Sequence, residues 1–82
     1  MFTTYILYSE SRDRYYIGSS QNPDQRLIQH NSGRNKSTKT GIPWKVVHQE
    51  HFETLTEARA RENFIKKMKS REFILKVISG ER

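Results

Sequence analysis

Tyr16-Ile17-Gly18-Ser19-Ser20-Gln21-Asn22-Pro23-Asp24-Gln25-Arg26-Leu27-Ile28-Gln29-His30 reads as a short strand ending in glycine, then a turn, then a helix that starts at Asn22. Asn22 is a good N-cap, Pro23 suits the first helical position, and Gln25 stands where a capping-box partner reaches back. Arg26 and His30 are four residues apart and so share one helix face. Beside the aromatic end of the strand, that face gathers a phenol, a guanidinium and an imidazole. Such a set can bind and attack a phosphate.

Upstream, Phe2 to Tyr8 is dense in aromatic and β-branched residues and predicts a first strand, with Tyr5 and Ile6 on opposite faces. The polar Ser9 to Asp13 is its turn, and Arg14 to Ser19 is the return strand of a hairpin. Tyr16 and Gly18 share one face of that strand, Tyr15 and Ile17 the other. Gly18 either lets another group approach the backbone closely or serves only the turn into the helix.

Downstream, Asn31 to Gly41 is polar, glycine-bearing and basic, which predicts a mobile loop. Its cations Arg34, Lys36 and Lys39 suit phosphate contacts and suit a solvated loop equally well. Pro43 to Phe52 predicts a third strand. His48 and His51 there read as surface residues, since a metal site would lack an obvious third ligand. Thr54 and Glu57 form a capping-box pattern that opens the longest helix, running through Lys69 with Leu55, Ala58, Ile65 and Met68 as its buried stripe. Glu62 falls at the margin of that stripe, where a carboxylate needs a reason. One reason is an ion pair with Lys66 or Arg59; the other is a metal site, since a carboxylate facing a phosphate-binding surface is what a magnesium ion asks of a protein. Ser70 recaps the chain, and Phe73 to Ile78 predict a short final helix that closes the core and ends at Gly80.

At 82 residues, residues 1–82 are expected to form a single small domain with a thin core, since only 33% of the chain is hydrophobic. Cysteine is absent, which excludes disulfides, thiolate metal sites and cysteine nucleophiles together. Fifteen Lys and Arg against nine Asp and Glu give a formal charge of +6, a balance that favours a polyanionic partner, nucleic acid first. No apolar run reaches membrane-spanning length and no signal core follows the N-terminus, so the expectation is a cytoplasmic protein without a membrane partner.

Over essentially its whole length the chain resembles the GIY-YIG nuclease domain, in particular its small stand-alone bacterial members. Tyr16-Ile17-Gly18 is the second family tripeptide verbatim, and Arg26 stands at the spacing of the family's catalytic arginine, with His30 one turn on. Arg61-Glu62-Asn63-Phe64-Ile65-Lys66 looks like the family's metal-binding glutamate segment, and His30-Asn31-Ser32-Gly33 followed by Lys36 looks like the bacterial subgroup. At the first tripeptide, where the family has glycine, isoleucine and tyrosine, this chain has Thr3-Thr4-Tyr5 and keeps only the tyrosine.

The resemblance implies an α+β fold, a three-stranded antiparallel sheet flanked by helices, with Tyr5, Tyr16, Arg26, His30 and Glu62 as catalytic residues. It implies a metal-dependent endonuclease that hydrolyses DNA phosphodiester bonds in repair or recombination, with one Mg2+ or Mn2+ held by Glu62. Arg26 would clamp the phosphate and stabilise the transition-state charge. Water would be the nucleophile. Its base stays open among Tyr5, Tyr16 and His30: a phenol starts near pKa 10 and an imidazole near 6.5, so chemistry favours His30 while family precedent favours a tyrosine. Gly18, Arg34, Lys36 and Lys39 would contact nucleic acid, which could be branched or single-stranded DNA, and a protein partner could supply specificity. The contrasting expectation is a catalytically silent nucleic-acid-binding module that keeps the basic surface.

Overall fold

The computed structural model describes residues 1–80. Strands β1 (Phe2–Ser9), β2 (Arg14–Ser20) and β3 (Trp44–Phe52) form one antiparallel sheet in the order β2-β1-β3. Helices α1 (Pro23–Asn31), α2 (Leu55–Met68) and α3 (Arg71–Ser79) complete the α+β fold that the sequence predicts.

The central strand decides how the layers form. Its side chains alternate, so Ile6 points to one face and Tyr5 and Leu7 to the other, and all three are buried. Ile6 packs with Ile17, with Ile65 of α2 and with Val77 of α3. Tyr5 and Leu7 pack with Trp44, flanked by Tyr16 and by Leu27 of α1. Each face therefore carries its own thin core. Thr3 and Thr4, the two departures from the family consensus, are buried in the same strand. Their hydroxyls are satisfied: Thr4 Oγ1 donates to the Ala58 carbonyl at 2.6 Å, and Thr3 Oγ1 lies 2.9 Å from His51 Nδ1. The substitutions serve the packing of α2 and β3 against β1.

The helix starts were legible, with one difference. Thr54 Oγ1 accepts from the Glu57 N–H at 3.2 Å and Ser70 Oγ from the Phe73 N–H at 3.1 Å, as capping requires. Asn22 precedes α1 as expected, yet its side chain makes no capping bond. Ser20 Oγ instead accepts the Asn22 N–H at 3.0 Å, and the Asn22 carbonyl accepts from Arg26 N–H at 3.1 Å. Pro23, with no N–H to satisfy, makes the missing cap inexpensive. In α2, Ala58 and Ile65 are buried, but Met68 is 44% exposed at the helix end, where the chain reverses through a left-handed Lys69 (φ 47°).

The stretch expected to be a mobile loop is anchored at its middle. Asn31 brackets Trp44, donating from Nδ2 to its carbonyl at 3.0 Å and accepting its N–H at Oδ1 at 2.6 Å. The Trp44 indole then donates from Nε1 to the Thr38 carbonyl at 2.7 Å, and Thr38 is fully buried ahead of a short 3-10 turn over Lys39–Gly41. Composition concealed this because the anchor, Trp44, lies outside the loop. Arg34, Lys36 and Lys39 remain exposed on its outer side.

Candidate active site

Tyr5 and Gly18 are paired across β1 and β2. The Tyr5 phenol lies over Gly18, so closely that a Cβ on residue 18 would fall 2.5 Å from the hydroxyl. This is the close approach that glycine permits, and the group that makes it is a side chain of the same sheet. Burial pushes the Tyr5 phenol above its ordinary pKa, while the nearby Arg26 guanidinium pulls it part of the way back. Gly18→Ala is expected to displace that phenol, costing about 1–3 kcal/mol by overpacking. Urea unfolding checks it, and an unchanged midpoint would refute the contact.

Tyr16 sits on the same face as Gly18. Its ring packs 4.7 Å from the His30 imidazole, centroid to centroid, and meets Trp44 edge-on at 6.3 Å. Tyr5 is 6.5 Å from the same imidazole. His30 is only 1% exposed, so it is not the helix-surface residue that its polar flanks suggest. Its Nδ1 is 3.1 Å from Thr38 Oγ1, and its buried Nε2 has no partner among the described residues. Burial, and secondarily the Arg26 charge, hold this imidazole below its ordinary pKa, so it is neutral at pH 7. Arg26 itself is exposed; it donates from Nη1 to Gln29 Oε1 at 3.1 Å, and its guanidinium also stands beside the Tyr5 phenol.

Glu62 approaches from the other layer. It projects from α2, and its Oε1 accepts from Ser19 Oγ at 2.5 Å at the end of β2. The other oxygen, Oε2, accepts from Lys66 Nζ at 2.6 Å, the expected i,i+4 pair, whereas Arg59 is exposed and takes no part. The carboxylate is thus at the rim of the tyrosine face, close enough to act on the Tyr5 phenol through its field. The structure therefore brings Tyr5, Tyr16, Arg26 and His30 together on one face, with Glu62 at its edge.

Of the two reasons for a carboxylate at Glu62, the structure records the ion pair: Lys66 Nζ neutralises Oε2, so a divalent cation there would take the place of that ammonium, with Ser19 holding the other oxygen. Among the described residues no three His, Cys, Asp or Glu side chains gather. One carboxylate completed by phosphate and water is a set that magnesium accepts. His48 and His51 are engaged elsewhere, His48 with Glu50 at 2.8 Å and His51 with Thr3.

Two contributors escaped the sequence reading. Ser19 and Thr38 each hold a candidate catalytic side chain, but single hydroxyls in polar runs carry no pattern, and only the fold shows what they touch. A groove of about 580 Å3 lies among His48, Arg61, Phe64 and Phe73, and none of Tyr5, Tyr16, Arg26 or His30 lines it. The candidate site combines an exposed Arg26 with a buried Tyr5 and a buried His30. No helix among the described residues is long and apolar enough to cross a membrane.

The sequence matches the profile of the GIY-YIG family, the GIY-YIG catalytic domain, over residues 1–74. A UPF0213 protein of Staphylococcus saprophyticus is 43% identical over 65 residues, covering 78% of each chain. A UPF0213 protein of Listeria monocytogenes is 44% identical over 59 residues, 71% of this chain and 66% of its own length. One from Syntrophus aciditrophicus is 39% identical over 71 residues, 83% of this chain and 82% of its own. The chain thus spans just under two thirds of the Listeria relative and about four fifths of the other two. No solved structure matches the chain significantly.

Proposed function

The chain belongs to the GIY-YIG family, a nuclease superfamily, and from that premise we propose that it is a divalent-metal-dependent endonuclease that hydrolyses DNA phosphodiester bonds. The observation that carries this reading is the meeting of an exposed Arg26 with a buried phenol and a buried neutral imidazole, beside a carboxylate held at two points. Each group then has a task. Arg26 binds the scissile phosphate through a planar fork and stabilises the negative charge that grows on its oxygens. The tyrosines and His30 orient the attacking water and take up its proton. Glu62 would hold the cation, which when bound supplies neutralisation of the charge on the leaving oxygen.

Thr3 and Thr4 are accommodated by hydrogen bonds within the fold, Thr3 with His51 and Thr4 with the Ala58 carbonyl one turn before Glu62. Tyr5, which the family tripeptide shares, keeps its place on β1 between β2 and β3. The exposed Arg34, Lys36 and Lys39 sit on the loop that packs against His30, and contacts from such cations go to phosphates. On this reading the cut is selected by DNA shape, branched or single-stranded, with a protein partner adding selectivity, and the reaction serves DNA repair or recombination. The absence of cysteine fits a cytoplasmic setting.

The test is a cleavage assay on single-stranded, duplex, flap and branched DNA, with magnesium or manganese and with chelator. The expected result is cutting that requires the metal, with one substrate preferred. Salt-sensitive binding to every substrate with no cutting of any would instead make the chain a silent binding module.

A further inference from the structure

We propose that Thr38 is a positioning residue of this site: its bond to Nδ1 fixes His30 in the tautomer protonated there and leaves Nε2 as a buried proton acceptor. The use of that acceptor in catalysis rests on the nuclease reading; the tautomer itself does not.

Thr38 and His30 are both buried, at 0% and 1% exposure, and bulk water cannot fill in for a missing partner. Thr38 Oγ1 has the Asn35 carbonyl as a second acceptor at 3.5 Å, the long end of a hydrogen bond, so its hydroxyl can donate there and offer a lone pair to His30 Nδ1–H at 3.1 Å. The opposite assignment would put a proton on Nε2, which has no hydrogen-bond partner among the described residues. An orphaned buried N–H is rarer and costlier than a bare acceptor. The groups facing the imidazole agree with this. They are Tyr5 from β1, Tyr16 from β2 and Arg26 from its own helix. None is anionic when the phenols are protonated, and the positive Arg26 favours a lone pair over a second N–H dipole in its field.

Thr38 is itself held firmly. Its carbonyl accepts from the Trp44 indole at 2.7 Å and from the Gly41 N–H at 3.1 Å, and its N–H donates to Asn35 at 3.2 Å. The orientation of the imidazole is thereby tied through Trp44 to β3. An imidazole with its proton kept on Thr38 can take a proton at Nε2 but has none there to give. It is therefore a base at this stage of the reaction and not an acid. When water attacks, one of its O–H bonds breaks, its oxygen bonds to phosphorus, and the ester P–O bond to the leaving oxygen breaks. The leaving oxygen takes a proton from solvent, and the water's proton goes to Nε2. That gives an imidazolium which retains Nδ1–H on Thr38 and gives up the Nε2 proton before the next turnover.

The experiment is a two-bond proton–nitrogen correlation spectrum of the imidazoles in the 15N-labelled full chain, above pH 7, for the wild type, Thr38→Ser and Thr38→Val. Wild type and Thr38→Ser are expected to show His30 protonated at Nδ1 and bare at Nε2, while Thr38→Val loses that preference. In cleavage, Thr38→Val should lower kcat by roughly ten- to a hundredfold, the range of a lost orienting partner, with KM unchanged, and Thr38→Ser should restore it. A wild-type His30 protonated at Nε2 overturns the proposal, whether or not Thr38→Val folds. So does a folded Thr38→Val with unaltered tautomer and kcat. A wild type with the Nδ1 tautomer that cuts no DNA overturns the nuclease reading alone.

Discussion

Arg26→Ala is expected to lower single-turnover DNA cleavage by about a thousandfold, the scale of losing a charged donor aimed at a transition state. Fold stability should move by less than about 0.5 kcal/mol, because the side chain is exposed and its bond to Gln29 lies within one helix. The loss should fall on kcat, since the charge that Arg26 meets is larger in the transition state than in the bound substrate. Arg26→Lys keeps the positive charge without the planar fork and should recover only part of the rate. A second readout is independent of cutting. The Arg26 charge helps hold the His30 imidazole down and pulls the Tyr5 phenol back toward its ordinary value. With alanine at 26, the His30 titration should move up and the Tyr5 titration should move further up. An Arg26→Ala protein that cuts within about tenfold of the wild type would remove the phosphate-clamp assignment.

Glu62→Gln should be comparably damaging, because several kcal/mol of transition-state stabilisation is lost with a metal ion, or about 10²- to 10⁴-fold in rate. Glutamine is the informative replacement. Its carbonyl oxygen can still accept from Ser19, so the side chain keeps its place while the charge that would hold a cation is gone. The fold should survive: the pair with Lys66 is half in solvent on the lysine side, 49% exposed, and such a pair contributes at most about 1 kcal/mol. DNA binding measured without metal should be unchanged or slightly tighter, since a negative charge has left the rim of a basic surface. Manganese binding, followed by the loss of free-ion paramagnetic resonance signal, should disappear in the variant. If Glu62→Gln binds manganese as the wild type does, Glu62 is not the ligand, and the capping of its oxygens by Ser19 and Lys66 would be purely structural.

The Tyr16–His30 stretch carried most of the fold because local rules act on neighbours in sequence. Pro23 and the Thr54 and Ser70 caps marked helix starts. The alternation of Tyr5, Ile6 and Leu7 fixed which face each residue takes, and Tyr16-Ile17-Gly18, Arg26, His30 and Glu62 identified the family. Charge named the class of partner. Spacing could place Arg26 and His30 on one helix face, since four residues make about one turn.

What only the tertiary structure decided is how those residues are held. Sequence could not tell that His30 is buried, since its α1 neighbours are mostly polar and the side chains covering it come from β1, β2 and the far end of a loop. The choice between two partners for Glu62 needed the α2 surface: Lys66 takes one oxygen, Arg59 faces solvent, and Ser19, 43 positions away, takes the other. The approach to Gly18 proved to be the phenol of Tyr5, a matter of strand register that no single strand contains. Thr38 gained a role because Trp44 draws a polar loop against the sheet. Helix and strand tendencies are short-range and can be read along the chain. Burial and orientation of a polar side chain depend on contacts between distant segments, which exist only once the two faces of the sheet have been covered.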